Sequence, residues 1–266
     1  MNTRPYRART KDDIMSKLLL TISYIGSDFA GWQVQPNAPT VQAELCRACD
    51  ALFGCRCAVT GCSRTDAGVH AREFLCTVAF EGEPNAVPAD RVPPALNALL
   101  PESIAVASCA ECSDSFHPRY GIRGKEYVYL LHNSRIRDPF LAGRAFRFPA
   151  PLDVNAMSRC AKEFTGRHDF AAFMSSGSKI EDTRRTVFDF TVTEKDGLIT
   201  FTVSADGFLY NMVRIMVGTL IDAGLGKKTP DDVRRIIESK DRASAGATVP
   251  AHGLYLNRIL KGDDTP

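Results

Sequence analysis

Hydrophobic and polar positions change period along the chain, and the changes mark out its elements. LLLTISYI (18–25) is a short, nearly continuous apolar run of strand length. Residues 40–54 shift to helical spacing, with Val41, Leu45, Ala48 and Leu52 on one face and Thr40 placed as a cap. CRCAVT (55–60) and EFLCTVAF (73–80) read as strands, DRVPPALNALL (90–100) as a helix with prolines near its start, and SIAVASC (103–109) as a strand. The order is β-α-β-β-α-β.

The second half repeats that order. KEYVYLLH (125–132) alternates as a strand, and residues 153–165 form a helix from Asp153 with Val154, Met157, Ala161 and Phe164 on one face. RRTVFDFTVTE (184–194) and LITFTVSA (198–205) flank Asp196-Gly197, a hairpin signal. Residues 208–223 read as an apolar helix. Thr229-Pro230-Asp231-Asp232 starts another, with a cap, an N1 proline and an acidic first turn, and GLYLNRIL (253–260) closes as a strand. A split β-α-β unit gives an antiparallel sheet with helices on one face. Two in series predict an α+β chain of two similar halves, joined near residues 112–123, with a ligand cleft between them. The expected divisions are a flexible basic tail over 1–16, a first half over 17–115 and a second over 116–266.

Composition narrows the function. With 266 residues, 44% hydrophobic and 24% charged, the chain has the balance of a globular protein with a substantial core. No apolar run reaches the ~18 residues of a membrane helix, and MNTRPYRARTKDD lacks the apolar centre of an export signal, so no membrane partner and a cytoplasmic location are expected. Nine cysteines without an export signal read as reduced thiols. Cys46/Cys49 and Cys109/Cys112 have the pair spacing of a zinc site. The first pair falls inside a helical pattern, and the two pairs are far apart, which favours buried thiols and no metal. Net charge is +2, but residues 81–116 hold six acidic side chains and one Arg, whereas 117–147 hold seven Arg or Lys and two acidic side chains. The second stretch suits a polyanion. GLGKKT (224–229) fails as a phosphate loop, because Ile221 stands where the Walker pattern needs its first glycine.

Three features carry candidate chemistry. In GCSRTDAGVHA (61–71), Asp66 lies in a polar, glycine-containing loop at a sheet edge or rim, with Arg64 before it and His70 and Arg72 after it. Taken alone, this is a turn aspartate bonded to its own backbone. Arg214 alters the balance. It sits in FLYNMVRIMVGTLI, an otherwise apolar helix, where an unpaired guanidinium is costly. Asp206 and Asp222 are local candidate partners, but Asp222 is eight positions away, beyond the adjacent turn. A distant loop aspartate is the alternative, and a paired carboxylate held ionised suits a nucleophile or base. Tyr127 and Tyr129 alternate with Val128 and so share a face, either as core or as a stacking surface for a nucleobase.

GCSRTDAGVHA resembles the active-site motif of the TruA-type tRNA pseudouridine synthases. YIGSDFAGWQVQP (24–36), FHPRYGIRGKEYVYLLHN (116–133), GRHDFAAF (166–173), FLYNMVRIMVGTL (208–220) and VPAHGLYL (249–256) are similar to that family's segments in order and spacing, across roughly residues 17–260. The matched chemical positions show no departure. The resemblance implies an α+β fold of two tandem RRM-like halves sharing an extended antiparallel sheet, with helices packed on it and a central RNA-binding cleft. It implies Asp66 as the catalytic aspartate, Arg214 as its partner, Tyr127 packed on the target uridine, and Arg64 in contact with RNA. It further implies a homodimer, no metal or cofactor, and the anticodon arm of tRNA as substrate, at uridines 38, 39 and 40. Whether the carboxylate acts at C1′, at the C2′ proton or at C6 stays open. A non-catalytic tRNA-binding protein on the same scaffold is the main rival.

Overall fold

A computed structural model describes residues 17–177 and 180–262. The expected tail over 1–16 lies outside the described residues. In chain order the elements are β1 (Lys17–Tyr24), α1 (Val41–Phe53), β2 (Arg56–Gly61), β3 (His70–Glu81), α2 (Val92–Asn97), β4 (Ile104–Glu111), β5 (Ile122–Asn133), β6 (Phe146–Phe148), α3 (Val154–Ala161), β7 (Gly166–Asp169), β8 (Arg184–Lys195), β9 (Leu198–Ala205), α4 (Met212–Gly224), α5 (Pro230–Ser239) and β10 (Leu254–Lys261). Local chemistry sets many of their ends. The Thr40 hydroxyl accepts from Ala43 N–H to start α1, and Gly54, with φ +70°, ends it. Thr229 and Asp232 form a capping box at α5. Asp196 and Gly197, with φ +54° and +76°, turn β8 into β9.

The strands form one ten-stranded sheet in the order β4-β1-β3-β10-β5-β9-β8-β7, with β2 also on β3 and β6 also on β5. The sheet expected to be antiparallel is mixed. β10 runs parallel to β3 through Tyr255–His70 and Leu256–Ala71, and β6 runs parallel to β5. The reason lies in the length of β3. Its later residues pair with β2 from Cys76 to Glu81, but its first residues project past the end of β2. The free backbone groups of His70 and Ala71 are taken up by β10, which joins the two halves of the sheet. The loop carrying Asp66 leads directly into His70, so of the two expected places, edge or rim, it takes the rim, over this central junction.

Other differences are local. β6 and β7 are too short to show a period in the sequence. The helix from Asp153 is α-helical only to Ala161, then tightens to a 3-10 turn over Lys162–Phe164. The apolar helix begins at Met212 and not at residue 208, because Asn211 adopts φ +61° and breaks the helical path. α4 is buried on nearly every side. A Cβ on Gly218 would collide with the Ala247 carbonyl, so the 246–249 segment lies directly against the helix backbone. Gly246 N–H donates to the Thr219 hydroxyl at 2.8 Å and holds that contact.

Cys46 and Cys49 lie on α1 and Cys109 on β4, and the nine cysteines are free thiols. Burial pushes the Cys49 thiol up to about 12 and the Cys109 thiol up to about 11. Among the described residues no three His, Cys, Asp or Glu side chains group as metal ligands, and no helix is long and apolar enough to cross a membrane.

Candidate active site

The loop between β2 and β3 is held from below by the segment after β1. Trp32 N–H donates to the Thr65 carbonyl at 3.1 Å, and Gly68 N–H donates to the Phe29 carbonyl at 3.3 Å. The Tyr24 and Thr65 hydroxyls are 2.8 Å apart in a buried hydrogen bond. Gly31, with φ +98°, allows the close approach, since a Cβ there would lie 2.5 Å from the Thr65 carbonyl oxygen. His70 is fully buried. Its Nδ1 accepts from Gly26 N–H at 3.0 Å, and its Nε2 lies 3.1 Å from the His252 carbonyl. Because Nδ1 accepts from an N–H it carries no proton, and burial lowers the ring's pKa in the same sense, so this histidine braces the loop. Arg72 turns away, over the Tyr255 ring and onto Asn257.

Asp66 does not fold back on its own backbone. Its Oδ2 lies 3.5 Å from Arg214 Nη1, with the two side chains 34% and 16% exposed. Neither local aspartate serves Arg214: Asp206 accepts from Thr186 N–H, and Asp222 lies 3.9 Å from Lys227. Two further acceptors orient the guanidinium. Nε donates to the Val249 carbonyl at 2.7 Å, and Nη1 donates to Asn211 Oδ1 at 2.7 Å. Asn211 is fixed in turn by donating to the Ser175 hydroxyl at 2.9 Å. The helix break at Asn211 therefore aims Arg214 across the junction at Asp66.

Burial raises the Asp66 carboxyl above its ordinary range, and Arg214 opposes the rise without cancelling it. The pairing expected to hold the carboxylate ionised therefore works against a larger opposing influence, desolvation. A partly desolvated carboxylate is more basic and more nucleophilic than one in water.

Asp66 opens into a cavity of about 670 Å³, whose lining includes Arg64, Arg119, Lys125, Tyr127 and Phe208. The Tyr127 hydroxyl is 3.2 Å from that of Ser63, and its ring meets Phe208 edge to face at 4.9 Å. Tyr129, on the same face, is fully buried and donates to the Pro250 carbonyl, so it is core. Arg64 is exposed at the cavity and, among the described residues, has no hydrogen-bond or ion-pair partner. Asp66, Arg214, Tyr127 and Arg64 thus converge from a loop, a helix and a strand well separated in sequence.

A family model described as tRNA pseudouridine synthase matches residues 160–259. The tRNA pseudouridine synthase A of Acetivibrio thermocellus is 44% identical over 245 residues, covering 92% of this chain and 99% of the relative. That of Bacillus subtilis is 43% identical over 242 residues, covering 90% and 97%. The chain belongs to the tRNA pseudouridine synthase A family. A solved Cbf5-Nop10-Gar1 complex aligns over 95% of this chain and 52% of that one at 15% identity, with a TM-score of 0.40.

In this member of the tRNA pseudouridine synthase A family, several residues at the site are not marked by their local sequence. Asn211 carried a usable signal, since asparagine before a helix tolerates positive φ. Gly31 lies in YIGSDFAGWQVQP, but its contact with Thr65 is not legible from that segment. Ser63, Lys125, Phe208 and Val249 also lie within the motif segments, but nothing in their local pattern gives them a role, because only packing brings them together.

Proposed function

We propose that this chain isomerises uridine to pseudouridine in tRNA, with Asp66 as the reacting carboxylate. The observation that carries the reading is the pairing of a partly buried Asp66 with Arg214 at 3.5 Å, in a cavity that also holds Tyr127. Three cations and one carboxylate line that cavity, which favours a polyanionic substrate. Reaching the glycosidic bond of a stacked uridine requires flipping it out, at a cost of a few kcal/mol. Packing against Tyr127 offsets that cost, and Arg64 enters the vacated space. The reaction is an isomerisation, so it needs no external electron or group donor. Attack at C1′, removal of the C2′ proton and attack at C6 remain alternative first steps.

The same reading places the targets at uridines 38, 39 and 40 of the anticodon arm, in a cytoplasmic homodimer that binds tRNA across both subunits. The exposed arginines of the 117–147 stretch would meet phosphates, so affinity falls steeply with salt. The matching strand orders β4-β1-β3-β2 and β10-β5-β9-β8 support two RRM-like halves, 17–115 and 116–266. Tritium release from tRNA labelled at uridine C5 tests the proposal. Wild type should release tritium, and Asp66→Asn should release none. Tight binding of every tRNA without release by wild type would sink the enzymatic reading in favour of a binding protein.

A further inference from the structure

Lys125 is the one cation of the 117–147 stretch that the fold buries. Arg119, Arg123, Arg135, Arg137, Arg144 and Arg147 are exposed, whereas Lys125 is 9% exposed. It stands in the middle of the sheet on β5, opposite Ala205 of β9 and Ile259 of β10, and it lines the same cavity as Asp66 and Tyr127. Among the described residues its ammonium meets no carboxylate and makes no hydrogen bond. The neighbouring Glu126 pairs with Arg258 instead. No sealed side-chain nitrogen or oxygen lacks a partner among the described residues, so this ammonium opens into the cavity. A nearly buried cation with unused donors is costly unless a ligand supplies the acceptors. Burial lowers its pKa, and Arg119 and Arg185 add to the effect.

Its position selects the acceptor. Three side chains on one face of β5 mark three levels, about 6.5–7 Å apart. Tyr129 donates to Pro250, next to the Val249 carbonyl that holds Arg214. Tyr127 comes next, against Ser63. Lys125 is third, so Tyr127 lies between it and the Arg214–Asp66 pair. A uridine with C1′ at Asp66 and its ring on Tyr127 would then have the far edge of the uracil on the Lys125 side of the cavity.

We propose that Lys125 donates a hydrogen bond to the uracil carbonyl opposite the glycosidic bond and holds the base while it is detached and turned. The proposal rests on the reading of Asp66 and Tyr127 above. That carbonyl is O4 in uridine. When the base turns so that C5 takes the place of N1, O2 arrives at the same place, so one donor serves substrate and product. As C1′–N1 breaks, its electron pair goes to N1 and spreads onto O2 and O4, where an ammonium stabilises it. C5 then bonds to C1′, the C5 proton is lost, and N1 takes up a proton.

Single-turnover pseudouridine formation and tRNA affinity, measured for wild type, Lys125→Met and Asp66→Asn, test this. The substrates are two transcripts, with uridine or 4-thiouridine at the target. Lys125→Met should slow the step about 10- to 100-fold with Kd changed by no more than about twofold. Sulfur is the weaker acceptor, so 4-thiouridine should slow wild type but add little to the Lys125→Met defect. Weaker binding with a flatter salt dependence and an unchanged step would overturn the proposal in favour of a phosphate contact. Should Lys125→Met fail to fold, equal wild-type rates on both transcripts would overturn it equally well. Turnover by Asp66→Asn would instead sink the reading of the site on which the proposal stands.

Discussion

Arg214 reaches Asp66 at 3.5 Å with one guanidinium nitrogen while its Nε is committed to the Val249 carbonyl at 2.7 Å. The second contact makes the first directional. A guanidinium fixed at two points cannot follow Asp66 if the carboxylate moves, so Asp66 is aimed as well as paired. Arg214→Lys keeps a charge but cannot reproduce the fork. We expect it, like Arg214→Met, to lower single-turnover rates about 10- to 100-fold near neutral pH.

The pH dependence separates aim from charge. Arg214 opposes the burial that raises the Asp66 carboxyl. Without it the carboxyl rises further, and activity that needs the ionised form reappears only at higher pH. The acid limb of the Arg214→Met rate profile should lie above that of wild type. Coincident limbs would show that the pair contributes orientation alone.

Asp66 should also cost stability. Its folded-state pKa lies above the ordinary value of 3.8, so between those two values the folded chain binds more protons than the unfolded one. The resulting stability is present at low pH and is lost as pH rises through the folded pKa. Asp66→Asn should therefore melt at a higher temperature than wild type at neutral pH, and the gap should close toward pH 3.8. Thermal melts across that range check the sign, and a lower Tm for the variant at neutral pH contradicts it.

Tyr127 presents two separable groups. Tyr127→Phe loses only the Ser63 hydrogen bond, a change of about 1 kcal/mol, and should retain turnover within about tenfold. On the proposed packing of Tyr127 against the target base, Tyr127→Ala should forfeit about 1–3 kcal/mol of stacking. Fluorescence of 2-aminopurine next to the target, which reports base flipping, should change with wild type and Tyr127→Phe but not with Tyr127→Ala.

Gly31 supports the loop from outside the cavity. A Cβ there lies 2.5 Å from the Thr65 carbonyl, at a φ of +98° that other residues rarely adopt. Gly31→Ala should cost about 1–3 kcal/mol of stability and displace Asp66, although residue 31 is not placed against substrate. Denaturant unfolding and single-turnover rates should fall together, and unchanged values for both would remove the buttress role.

The sequence by itself determined the order of the main strands and helices. Capping residues such as Thr40 and Thr229, the Asp196-Gly197 turn and the spacing of apolar positions act within a few residues of each other, so they are legible locally. The motifs around Asp66, Tyr127 and Arg214 were legible as well. Tertiary structure decided the rest. The parallel junction of β3 and β10 satisfies backbone groups that carry no side-chain signature. Asparagine at 211 permits the helix break, but its side-chain partners, Ser175 and Arg214, come only from tertiary packing. Burial of Lys125 could not be read from a segment in which every other cation is exposed, because alternation along a strand says which side chains share a face but not what covers that face.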